Sequence, residues 1–95
     1  MFAVTGTWRM DTARAQERAA ALPQLVAGVA QNEGFVRGYW SQDVDAPQDN
    51  VTFIVFETLE QAHAFRAAVL ANAPAQASVG VQGAGLRIVE VMAQA

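Results

Sequence analysis

Ninety-five residues with a net charge of −3, 53% apolar and 16% charged, make one globular domain, 1–95, with a core but no room for a separate catalytic unit. All six basic residues are arginine and none cluster, which excludes the concentrated positive patch that nucleic acid requires. The absence of cysteine removes thiol catalysis, thiolate metal sites and disulfides together.

The first residues, MFAVTGTWRM, lack the basic start and long apolar run of a signal peptide. No stretch approaches the roughly 18 apolar residues of a membrane helix. The expectation is a cytoplasmic protein with no membrane partner. Phe2 to Arg9 alternates around Phe2, Val4 and Trp8 and predicts a first strand, central in its sheet. Asp11 or Thr12 then caps a helix. Its apolar face is Ala15, Ala19, Leu22, Val26 and Val29, with Arg14, Glu17, Arg18 and Gln24 turned to water. Pro23 either kinks this helix or opens a second short one. The apolar phasing that continues across it favours one kinked helix. Gly34 ends the helix as a left-handed cap.

A hairpin follows. Its first arm, Phe35 to Gln42, carries Phe35, Arg37, Tyr39 and Ser41 on one face and Val36, Gly38, Trp40 and Gln42 on the other. Gly38 in mid-strand predicts a bulge or the close approach of another group. Asp43 to Asn50 is a connection rich in turn formers. The second arm, Val51 to Phe56, is apolar on both faces and must be covered on both. Thr58 and Gln61 form a capping box that opens a second helix at Leu59. Leu59, Ala62, Phe65 or Arg66, and Val69 mark its inner side, and Asn72 to Pro74 stop it. Ala75 to Gly85 reads as a loop, and Leu86 to Met92 as the last strand.

The order strand, helix, strand, strand, helix, strand is the α+β, ferredoxin-like βαββαβ arrangement, a four-stranded antiparallel sheet with two helices on one face. The opposite face would expose several of Trp8, Val51, Phe53, Val55 and Val89, more apolar surface than a soluble monomer carries. A second copy, sheet against sheet, is the expected cover and makes the protein a homodimer.

GFVRGYW after a helix, and an apolar strand running into FETLEQAHAF, resemble the dimeric α+β barrel superfamily, and within it the antibiotic-biosynthesis-monooxygenase-like domains. Phe56, Glu57 and Thr58 fill that family's aromatic-Glu-Ser/Thr opening of the second helix. The resemblance implies fold and dimer over nearly the whole chain. It spans cofactor-independent oxygenases, haem-degrading enzymes, small isomerases and domains without known activity. Members with oxygenase or haem-degrading activity resemble one another in a first-strand asparagine and a tryptophan ending the third strand. This chain has Thr5, Gly6 and Thr7 at the first place and Phe56 at the second. The haem degraders carry their ligating histidine well along the second helix or just past it. The sole histidine here, His63, lies about one turn into it.

The candidate residues therefore stand on their own chemistry. His63 is a possible base or haem ligand, or a helix-surface histidine. Tyr39 is a second candidate proton carrier. Trp8, Trp40 and Phe56 are candidates to line a pocket for a hydrophobic or aromatic small molecule, with Arg37 binding a ligand carboxylate. They serve equally well as core, interface and edge-strand charge. Asp43, Asp45 and Asp49 lack the spacing of a calcium loop, so no metal is expected, and no cofactor motif occurs. Two readings follow. One is a small-molecule-binding homodimer without the family's catalytic residues. The other is a cofactor-independent oxygenase or isomerase acting on an aromatic or polyketide-like substrate.

Overall fold

The computed structural model describes residues 1–95, the side chain of Ala84 excepted. Four strands, β1 (Phe2–Met10), β2 (Phe35–Gln42), β3 (Asp49–Phe56) and β4 (Val81–Glu90), form one antiparallel sheet in the order β2-β3-β1-β4. Three helices accompany it: α1 (Ala15–Ala30), α2 (Leu59–Ala71) and the short α3 (Ala73–Ser78). This is the expected ferredoxin-like topology, with β1 and β3 in the centre.

Asp11 caps a single 3-10 turn, Thr12–Arg14, by accepting the Ala13 amide, and α1 follows without a break through Pro23. The helix ends at Ala30, earlier than expected. Gly34 lies in the following turn at φ +79°, where its carbonyl accepts the Glu57 amide. The capping box at α2 is complete: Thr58 accepts the Gln61 amide, and the Gln61 side chain accepts the Thr58 amide.

Two expectations at the end of the chain are corrected. Ala73–Ser78 is helical with Pro74 in its first turn, a position that suits proline because its missing N–H has no partner to lose. β4 begins at Val81, not Leu86, and ends at Glu90. Its small residues carry no hydrophobic period, yet they pair with the end of β1: Gly83 with Trp8, Gln82 with Arg9, Val81 with Met10. Pairing partners, not side-chain pattern, extend this strand.

Alternation places two sets of side chains on opposite faces. Val4, Ile54, Phe56 and Ala62 make the buried core between sheet and helices, with Phe2, Val29, Phe35, Trp40, Phe65, Leu86 and Ile88 packed around it. Phe56 meets Phe35 edge-on at 6.3 Å and Phe65 at 5.1 Å between ring centres. On the other face Tyr39, Val51, Phe53 and Val89 are exposed. Val55 is not; it is 4% exposed, at the end of that face where Met1, Val91 and Ala93 also stand. Trp8 does not belong to the open face, because it shares the helix side with Val4.

Candidate functional site

The residues singled out in the sequence fall in three places. Trp8, Trp40 and Phe56 are on the helix side of the sheet. Arg37 and Tyr39 are on the open face, and His63 is exposed on α2. The register brings two of them together. Trp40 on β2 is directly opposite Thr52 on β3, and the Trp8 indole N–H donates to Thr52 Oγ1 at 3.0 Å. Two indole rings thus flank one threonine across three adjacent strands.

Glycines make the room for these rings. A Cβ on Gly6 would lie 2.7 Å from Trp8 Nε1 and 3.1 Å from Thr52 Oγ1, and one on Gly83 would lie 3.2 Å from the Trp8 ring. On the other side, a Cβ on Gly38 would lie 2.8 Å from the Trp40 ring. The space beside Gly38 is therefore filled by Trp40 itself. The sheet's bulge falls between Phe35 and Arg37, not at Gly38.

The layer above this aromatic row is only partly closed. Of the predicted inner stripe of α1, Val26 and Val29 are half-buried, while Ala15, Ala19 and Leu22 are exposed. No residue of α1 is fully buried. Its C-terminal half meets the core through Val29. Trp8 and Trp40 are half-buried, and Trp40 packs against the core. Phe56, by contrast, is 0% exposed and held among phenylalanines, so it supports this row from within the core.

The other candidates stand apart. His63 Nδ1 lies 3.3 Å from Arg66 Nη2, one turn on, and has no carboxylate partner among the described residues. Arg37 and Tyr39 border a recess of about 200 Å³ on the open face, with Phe53, Val55 and Val91. A broader cleft of about 640 Å³ lies at the rim, among Arg9, Asp11, Thr12, Gln48, Gly80 and Gln82. It is shallow, and its Arg9–Asp49 pair, 3.5 Å apart, is solvent-exposed and correspondingly weak. Asp43 Oδ1 accepts the amides of Asp45 and Ala46, a self-contained turn. Among the described residues no cluster of histidine and carboxylates is placed to hold a metal, and no helix is long and apolar enough to cross a membrane.

Sequence reasoning missed Thr52 and Arg18. Thr52 emerges only from the register. Arg18 was expected in water, but it is half-buried, and its Nη2 donates to the Asp11 carbonyl. Its spacing of eight and eleven from Val26 and Val29, the half-buried valines of α1, was the available signal.

A family model of antibiotic biosynthesis monooxygenases matches residues 1–75. The chain belongs to that family. No curated protein matches it. Solved structures share the family member's fold at low identity. A candidate antibiotic biosynthesis monooxygenase from Deinococcus radiodurans is 19% identical, with a TM-score of 0.74 over 100% of this chain and 95% of that one. SnoaB, a cofactor-independent oxygenase from Streptomyces nogalater, is 18% identical, with a TM-score of 0.73 over 98% and 94%. A variant of MhuD with two manganese protoporphyrin IX molecules bound per active site is 18% identical, with a TM-score of 0.75 over 100% and 98%. At these identities the likeness concerns fold.

Proposed function

We propose that this family member is a homodimer that binds a planar hydrophobic small molecule between the sheet and the N-terminal half of α1, against Trp8 and Trp40. The observation that carries the reading is the convergence of both tryptophans on Thr52, with Gly6, Gly38 and Gly83 clearing space for their rings. Large flat side chains that remain only half-buried on the inner face of a sheet offer stacking area to an aromatic ligand. Two relatives of the same fold give the ligand class its plausibility: SnoaB is an oxygenase, and the MhuD variant holds porphyrin. The second copy is proposed to cover Tyr39, Val51, Phe53 and Val89, the exposed apolar group on the opposite face.

Because the chain has two tryptophans and both stand at this site, intrinsic fluorescence reports occupancy directly. Titration with planar aromatic compounds is expected to quench it and to raise the melting temperature. The absence of both effects across fused-ring probes would sink the ligand reading.

A second reading, a cofactor-independent oxygenase or isomerase working on the same ligand class, is favoured by membership of the family. It would give the proton steps to His63 or Tyr39, although neither side chain lies on the tryptophan row. Oxygen uptake with polyketide-like phenols, compared between the wild type, His63→Ala and Tyr39→Phe, decides the matter. Equal turnover in all three removes both residues from the chemistry.

A further inference from the structure

Arg18 stands one turn before Leu22 on the side of α1 that continues through Val26 to Val29, and Val29 packs on the core. Leu22 is exposed, but Arg18 is half-buried like Val26 and Val29. Nη2 donates to the carbonyl of Asp11, just past the end of β1. Nη1 is shut off from solvent and has no hydrogen-bond partner; among the described residues it is the one buried side-chain nitrogen or oxygen in that condition.

A guanidinium keeps its charge at any ordinary pH. A charged N–H removed from water without an acceptor is costly, and native structures leave few such groups unpaired. The described residues supply Arg18 with no carboxylate, since their only ion pair joins Arg9 to Asp49. Position adds a second argument. Asp11 lies three residues beyond Trp8, about 10 Å along extended chain, and Trp8 points to the same side of the sheet as α1. A cationic donor is thus held near the end of β1, the strand that carries Trp8.

The geometry points to Arg18 as the polar anchor of this site: it takes an oxygen anion, a carboxylate or enolate, carried at one end of a fused aromatic ligand whose rings lie on Trp8 and Trp40. This rests on the aromatic site proposed above and adds the ligand's charge and approximate length. Nη1 donates to the anion in a charge-assisted hydrogen bond, while Nη2 stays fixed by Asp11, so the donor is oriented before the ligand arrives.

The test uses two probes of one shape, anthracene-2-carboxylate and anthracene-2-carboxamide, titrated by tryptophan fluorescence against the wild type and Arg18→Gln. The wild type is expected to bind the carboxylate on the order of tenfold more tightly than the amide. In Arg18→Gln that preference disappears, while amide affinity stays within about twofold. If the wild type does not distinguish the probes, or if the preference survives in Arg18→Gln, the anchor is wrong and the aromatic site stands. If neither probe binds the wild type, the aromatic site and the anchor fall together. Should Arg18→Gln not fold, Arg18→Lys, which keeps the charge without the fork, is expected to lose most of the preference, and a full preference there overturns the role.

Discussion

Gly34 adjoins the side chain of Gln61 so closely that a Cβ on the glycine would overlap the glutamine carboxamide. The same carboxamide accepts the Thr58 amide at 3.0 Å, and the Gly34 carbonyl accepts the Glu57 amide at 3.0 Å. The turn after α1 is thereby fastened to the first turn of α2, next to the phenylalanine cluster under the site.

Gly34→Ala is expected to destabilise the fold by about 2–3 kcal/mol. A positive φ disfavours any Cβ by about 1–2 kcal/mol, and disturbing the capping box adds about 1 kcal/mol. Gly28→Ala is the opposite case. Its Cβ would meet nothing within 4 Å and the position is helical, in the last turn of α1, so stability should rise by up to about 0.5–1 kcal/mol. Urea denaturation midpoints check both, and a Gly34→Ala variant as stable as the wild type would refute the packing argument.

Gly38→Ala should force the Trp40 ring to move, because the new methyl would stand 2.8 Å from that ring and 2.9 Å from Ile54 Cδ1. Overpacking of this kind costs about 1–3 kcal/mol. In a Trp8→Phe background Trp40 is the sole fluorophore. A change in its emission maximum on adding Gly38→Ala is the expected sign, and an unmoved spectrum with unchanged stability would show that the ring is not confined there.

The Trp8–Thr52 hydrogen bond should show as a coupling in a double-mutant cycle. Thr52→Val leaves the indole N–H without its acceptor and is expected to cost about 1 kcal/mol. In the Trp8→Phe background the same change should cost less by about 0.5–1.5 kcal/mol. Additive losses would mean that the contact contributes nothing to stability.

Phe53→Glu should convert the proposed homodimer to monomer. Phe53 is in the middle strand of the exposed apolar group, opposite Tyr39 on β2 and Thr5 on β1, and an unpaired carboxylate buried at an interface is strongly unfavourable. Val44→Glu is the control, since Val44 is 93% exposed in the hairpin loop. Sedimentation velocity is expected to give a dimer for the wild type and Val44→Glu and a monomer for Phe53→Glu. A wild-type monomer would overturn the second cover outright.

Signals that lie within a few residues survived from sequence to structure. The capping box at Thr58 and Gln61 and the unbroken helix across Pro23 depend on local backbone chemistry and phasing, whereas the bulge after Phe35 turns that ring into the core, away from the face of Arg37 and Tyr39 on which simple alternation puts it. Two further readings that required knowing a neighbour failed. Val81 to Gly85 has the composition of a loop but is a strand, because β1 runs long enough to pair with it. Trp8 is expected beside Val51 and Phe53, yet it faces the helices, because residues on neighbouring strands are matched by register and not by composition.

The order of elements, and with it the ferredoxin-like arrangement, was determined by the sequence alone: periodicities of two and of 3.6 residues are local, and the right-handed crossover leaves few ways to connect them. Membership of the candidate site was decided only in three dimensions. Trp8, Trp40 and Thr52 come from three strands, and no spacing along the chain relates them. Their meeting follows from antiparallel register. That is a property of packing, which exists only once the chain has closed on itself.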